Sequence, residues 1–325
     1  MTRFSAVLAA AAIVAAALAP PAHAQSFPDP KKPIRIIVPT APAGGNDAMA
    51  RIVAQKLNER LKQPVIVENK SGANGAIGSE FVAKAPPDGY TILFGYIATH
   101  GINPGLSKLP YDAVKDFAPI AQIAEAPVVL VVNPSVQAKT VQELIALATA
   151  KPGALSYASA GNGTAPHIAA EMFKQMAGID MVHVPYKGSS PGVTDTIAGQ
   201  TQVMFPSLVA ASGHMKTNKL RGVAISSKSR SKLFPSLPTV SESGLKGFEI
   251  TQWYGFFAPA KTPKETVDFL NREIVAVMKD PDTQAKFAAQ GAEVVTGSPE
   301  AFGKLVQSEI AKWSQLIKSA KITAD

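Results

Sequence analysis

Apolar positions in this chain fall into short β-branched runs that alternate with longer stretches at helical spacing. Residues 34–38, Ile-Arg-Ile-Ile-Val, read as a strand buried on both faces. A glycine-bearing turn over residues 39–46 follows, and then Met49, Ile52, Val53, Leu57 and Leu61 recur with the period of a helix. Residues 65–67 and 91–94 read as the next strands, separated by the glycine-rich residues 71–78 and the turn at 86–89. The alternation resumes with strands at 128–132, 155–158, 181–184, 202–205 and 222–225. Between them, Thr140 and Glu143 form a capping box for one helix, and residues 159–164 lead into another over about 166–176. Strands alternating with helices predict mostly parallel sheets joined by crossovers. The final ~65 residues read as helical, with starts at Thr262-Pro263, Asp280-Pro281 and Ser298-Pro299, each a capping residue followed by proline.

The first 24 residues follow a different logic. Arg3 precedes an apolar, alanine-rich stretch that breaks at Pro20-Pro21 and ends Ala22-His23-Ala24, the pattern of a secretory leader cut before Gln25. The apolar stretch is shorter than the ~20 residues that a membrane span needs. The predicted mature chain is therefore exported from the cytoplasm. Its 325-residue precursor is long enough for two domains and, at 46% hydrophobic and 17% charged, has the composition of a globular protein. With no cysteine, disulfides, thiolate metal sites and thiol nucleophiles are excluded. Losing Arg3 with the leader takes the formal charge from +8 to +7. The basic residues are scattered, densest at Lys31-Lys32 and residues 228–232, without the interleaved aromatics of a nucleic-acid platform. That pattern predicts a solvated basic surface and no nucleic-acid partner.

Candidate chemistry is sparse. Outside the leader the histidines are His100, His167, His183 and His214, with no HExxH and no histidine pair four apart, so no metal is expected. Around Ser159 the order Tyr157-Ala158-Ser159-Ala160-Gly161 lacks the first glycine of a nucleophile elbow. Neither GxxxxGK[ST] nor a complete dinucleotide fingerprint occurs, and no cofactor is expected. What does recur is a strand ending in a small-residue turn that opens a helix, once at residues 39–47 and once at 159–166. Amide groups and the positive dipole end at a helix start can hold an anion without arginine, although glycine and caps are also ordinary in such turns.

The ordered motifs resemble a known family. Phe27-Pro28-Asp29, the loop Pro39 to Asp47 with its Ala-Gly-Gly-Asn-Asp, Val67-Glu68-Asn69-Lys70, Ala-Pro-Pro-Asp-Gly-Tyr-Thr from Ala85, Leu109-Pro110-Tyr111-Asp112 and His-Val-Pro-Tyr-Lys-Gly from His183 together resemble the Bug family, the periplasmic receptors of tripartite tricarboxylate transporters. The resemblance covers essentially the whole mature chain. It implies an α/β, two-lobed, Venus-flytrap fold of the type II periplasmic-binding-protein class, each lobe a mostly parallel sheet flanked by helices. Lobe 1 would comprise residues 25–126 plus 249–325, and lobe 2 residues 127–248.

Carried over by motif, the ligand site would comprise Thr40, Ala43, Gly44, Gly45 and Asn46 in the first turn, then Thr99 and His100, then Ser159, Asn162, Gly163 and Thr164, and finally Tyr186 and Gly188. Thr40 stands where the family commonly has an aromatic residue. Lys187 is a candidate counter-ion or a solvated side chain beside a tight turn, and Gln252, Trp253 and Tyr254 are candidates to line or rim the pocket, with Trp253 better suited to the core. The implied function is capture of a small organic carboxylate by a monomeric receptor, with delivery to a membrane permease and no catalysis. A periplasmic hydrolase of small esters and a receptor that presents its ligand to a signalling partner are the alternatives.

Overall fold

A computed structural model describes residues 27–320, 322 and 323, so the expected leader lies outside the described residues. The chain opens with β1 (Ile34–Val38), α1 (Gly45–Leu61), β2 (Val65–Asn69), α2 (Ala76–Ala83) and β3 (Thr91–Tyr96). A π-helical turn (Ala98–Ile102) runs into the four-residue α3 (Asn103–Leu106), and β4 (Phe117–Pro127) follows. The middle of the chain alternates β5 (Val129–Val132), α4 (Val141–Ala150), β6 (Ser156–Ser159), α5 (Ala165–Ala177), β7 (Val182–Pro185) and α6 (Ser189–Ile197). After β8 (Val203–Met204), α7 (Leu208–Lys216) and β9 (Arg221–Ile225), the chain returns through β10 (Thr251–Pro259). It ends with α8 (Lys264–Met278), α9 (Pro281–Ala289), β11 (Glu293–Val294) and α10 (Pro299–Ser319).

Two sheets result, one ordered β11-β4-β10-β3-β1-β2 and the other β7-β6-β8-β5-β9. The α/β layering is as expected, but the sheets are mixed rather than mostly parallel. β10 runs against both β3 and β4, and β5 against both β8 and β9. The cause is the double crossing. β10 enters the first sheet at the edge where β3 ends, with Tyr254 opposite Tyr96, so it must run the other way.

The crossings meet at one residue. Ser226, fully buried, follows β9. Its N–H donates to the Val128 carbonyl (3.0 Å), and its carbonyl accepts from the Ile250 N–H (3.1 Å). Its hydroxyl accepts from the Val128 N–H (3.0 Å) and donates to the Ile250 carbonyl (2.6 Å). Val128 and Ile250 lie on the two separate connections, so one serine clasps both.

Helix faces follow the apolar spacing. In α1, Met49, Val53 and Leu57 recur four apart and are buried against Leu270 and Ile274 of α8 under the first sheet, each full burial contributing about 1.5–3 kcal/mol. Asp280 and Ser298 cap α9 and α10 as expected, and Thr140 caps α4 with Glu143 reaching back to the Lys139 N–H. Thr262 does not cap α8. Pro263 occupies the cap position, one residue later than expected, and the buried Thr262 hydroxyl has no partner among the described residues.

Candidate functional site

The turn after β1 is held from behind by a carboxylate. Ala43 adopts a left-handed backbone (φ 63°), an unfavourable choice for a residue with a Cβ. Asp47, 4% exposed in the first turn of α1, accepts hydrogen bonds from the Ala43 N–H (3.0 Å), Arg51 Nε (2.9 Å) and Asn69 Nδ2 (2.9 Å). Burial raises the Asp47 pKa, but those donors outweigh it and hold the carboxyl below its ordinary value. Asp47 thus fixes the loop that presents Gly44 and Gly45 at the start of α1.

The turn after β6 is built on glycines and imidazoles. Gly161 (φ 116°) and Gly163 (φ 71°) take backbone shapes closed to most residues, and Gly163 also packs so near Leu106 that a Cβ would lie 2.1 Å from its Cδ2. The Gly163 N–H donates to His167 Nδ1 (3.0 Å), which puts the lone pair of that ring on Nδ1. Ser159 Oγ lies 2.7 Å from His183 Nε2, and the two imidazoles stack at 4.1 Å with Tyr157 beyond His183 at 4.7 Å. The Thr164 hydroxyl donates to the Gly161 carbonyl (2.6 Å) rather than capping α5.

These turns rim a cavity of about 560 Å3 whose walls come from both sheets. Four helices begin on it: α1 at Gly44-Gly45, α5 at Thr164-Ala165, α6 at Gly188-Ser189 and α7 at Ser207. Among the described residues no charged side chain lines it. Each helix start carries roughly half a positive charge on its free N–H groups, so the cavity is electropositive without a cationic side chain and is suited to an anion.

Of the residues expected from sequence, Thr40, Ala43, Gly44, Gly45, Asn46, Thr164 and Gly188 line this cavity. Thr40 Oγ1 is buried there without a hydrogen-bond partner among the described residues. Ser159 and Gly163 lie buried behind the wall, and Asn162 and Tyr186 are half-buried off the lining, with the Tyr186 hydroxyl donating to Asp195 (2.8 Å). Thr99 and His100 do not reach the cavity. The π-helical turn rotates them into the core, where His100 stacks on Phe257 at 4.0 Å and burial lowers its pKa to about 3, leaving it neutral. Lys187 is exposed away from the cavity, and Trp253 is core, donating to Glu309 (3.1 Å).

Sequence reasoning missed Tyr96, Ser189, Ser190, Ser207 and Gln290, while Gln252 and Tyr254 line the cavity. A signal existed for the serines: Ser189 and Ser190 continue the Gly188 turn, and Ser207 follows a strand end. Gln290 carries none.

Two α/β sheets sharing a cleft ringed by helix starts define a solute-binding protein of the periplasmic-binding-protein class. The chain belongs to the tripartite tricarboxylate transporter receptor family, whose model matches residues 49–322. It is 35% identical over 321 residues to Protein BugT of Bordetella pertussis, covering 98% of this chain and 97% of that one. A Rhodopseudomonas palustris protein solved with adipate superposes with a TM-score of 0.83 at 33% identity, covering 91% of this chain and 99% of the other. MatC of the same organism, solved with bound malate, gives 0.79 at 30% identity, with coverages of 89% and 100%. Among the described residues, no helix is long and apolar enough to cross a membrane.

Proposed function

We propose that this chain is a periplasmic receptor that captures a small organic carboxylate in the cleft and hands it to the membrane permease of a tripartite tricarboxylate transporter, without altering it. One observation carries this reading: four helix starts converge on a cavity that has no charged side chain on its walls. Such a site attracts an anion through backbone N–H groups. Among the described residues, its walls carry hydroxyls but no histidine, carboxylate or lysine to act on a bound molecule as general base. The adipate and malate bound by the two relatives are anions of this kind.

Lobe 1 would comprise residues 25–126 plus 249–325 and lobe 2 residues 127–248, with the ligand favouring the arrangement in which α1 and α5 both touch it. The first-turn residues Thr40 to Asn46, together with Thr164 and Gly188, would make the direct contacts. The Ser159–His183 contact is the one feature that favours hydrolysis. With no exposed surface on Ser159, a substrate carbonyl has no path to its hydroxyl.

A panel of mono-, di- and tricarboxylates, measured by thermal shift and calorimetric titration alongside an ester-turnover assay, tests the proposal. Saturable binding of at least one carboxylate, with no ester turnover, is expected. Turnover that Ser159→Ala abolishes, or a panel with no binder, overturns it.

A further inference from the structure

Beyond the helix starts of the carboxylate grip, the cavity wall carries a polar cluster. Tyr96 ends β3, Gln252 and Tyr254 lie two apart on β10 and so share a face, and Gln290 closes α9. Tyr254 stands opposite Tyr96 in the ladder, which sets the two phenols side by side. Tyr254 is 5% exposed, and its hydroxyl has only a long 3.4 Å contact to Gln252 Oε1. The Tyr96 hydroxyl finds no partner among the described residues. Burial raises both phenol pKa values, for Tyr96 with added repulsion from Tyr111 and Tyr254, so both remain neutral hydroxyls.

We propose that Tyr96, Gln252, Tyr254 and Gln290 form a distal subsite that reads an uncharged hydrogen-bonding group, a hydroxyl above all, at the far end of the carboxylate ligand. This rests on the carboxylate reading of the cleft and adds the ligand class: a monocarboxylate with a neutral polar tail rather than a dicarboxylate. A hydroxyl donates and accepts at once, and phenols and amides do the same, so each partner can be satisfied. A second carboxylate would be buried here among neutral phenols and amides, with no cation on the cavity wall among the described residues. β10 lies two strands from β1, about 10 Å at the usual strand spacing, so Gln252 and Tyr254 stand apart from the first turn.

The test is calorimetric titration of the mature protein at pH 7.5 with hexanoate, 6-hydroxyhexanoate, hexanedioate and 1,6-hexanediol. The hydroxy acid should bind about tenfold more tightly than hexanoate and more tightly than hexanedioate. Tyr254→Phe and Gln252→Leu should each remove that tenfold advantage while leaving hexanoate affinity and the melting temperature in place. Hexanedioate binding as tightly as the hydroxy acid overturns the distal preference and leaves the carboxylate reading standing. So does an equal loss for every ligand in both variants. Hexanediol matching the hydroxy acid overturns the carboxylate reading, and a panel with no binder overturns both.

Discussion

Replacing Asp47 with Ala removes the acceptor that holds the first turn in shape. The N–H of the exposed Ala43 loses its partner, and Asn69 keeps only its 3.2 Å bond to the Thr40 carbonyl. The acceptor being removed is a carboxylate only 4% exposed, and hydrogen bonds to a charged group contribute about 1.5–3 kcal/mol. The ion pair with Arg51 adds little, because the Arg51 side chain is 53% exposed and screened. Ala43 at φ 63° then has nothing to offset a backbone penalty of roughly 1–2 kcal/mol, so the turn relaxes toward a right-handed or extended shape. The lost hydrogen bonds to the carboxylate predict a loss of about 1.5–3 kcal/mol, divided between stability and affinity according to how far the ligand rebuilds the turn. Melting of the unliganded protein and calorimetric titration with the best carboxylate of the panel measure the two shares, and Asp47→Asn, which keeps one oxygen, should recover part of the loss. An Asp47→Ala protein with wild-type melting and wild-type affinity would refute the assignment of Asp47 as the support of the first turn.

Four further outcomes follow from the geometry. The folded-state pKa of Asp47 is depressed, so its contribution is present above the unfolded value of about 4 and is lost as pH falls through the folded one; acid melting should show this loss below about pH 4 in the wild type and not in Asp47→Asn. Gly163→Ala forces a side chain onto φ 71° and against Leu106, and should cost about 1–2 kcal/mol of stability, with partial recovery in the Leu106→Ala double variant by melting. Thr164→Val loses the bond to the Gly161 carbonyl and should lower apo stability by about 1 kcal/mol while titration shows less than about a tenfold change in affinity; a hundredfold change would place that hydroxyl on the ligand. Ser226→Ala strips one acceptor from the Val128 N–H and one donor from the Ile250 carbonyl, and a loss of about 2–3 kcal/mol in denaturant unfolding is expected.

The strand-turn-helix units were legible because their physics is local. Residues 34–38 are apolar and β-branched, the turn after them is glycine-rich, and the α1 face recurs every three to four residues. β4 and β10 were not legible. β4 is interrupted by Pro119 and Glu125, and β10 mixes aromatic residues with Gly255, so neither shows a clean period. Missing these two crossing strands also hid the mixed sheets. The same division holds for the cavity. Its glycine turns come from local motifs, whereas Tyr96 is set by pairing with Tyr254, 158 residues further on, and Gln290 by the helix end just before β11, whose Glu293 pairs with Glu125, 168 residues earlier. Thr99 and His100 lie just past the end of β3 in sequence, yet the π-helical turn sends them inward, a rotation that spacing alone does not reveal.

The serine clasp limits how the molecule can move. Two separate tethers would let the lobes slide, twist and open independently, as two plates joined by loose cords can. With Val128 and Ile250 fastened to the same buried residue, sliding one connection past the other breaks hydrogen bonds at Ser226, whereas bending both together breaks none. In the two-lobed receptor proposed above, opening would reduce to one coordinate, a swing about an axis through Ser226. Every group on the rim would travel an arc set by its distance from that pin, so Thr164 on one wall and Gly45 on the other would approach in fixed proportion. A ligand that fits at the outer rim would therefore also set the spacing at Tyr254, on the strand that leaves the pin after Ile250.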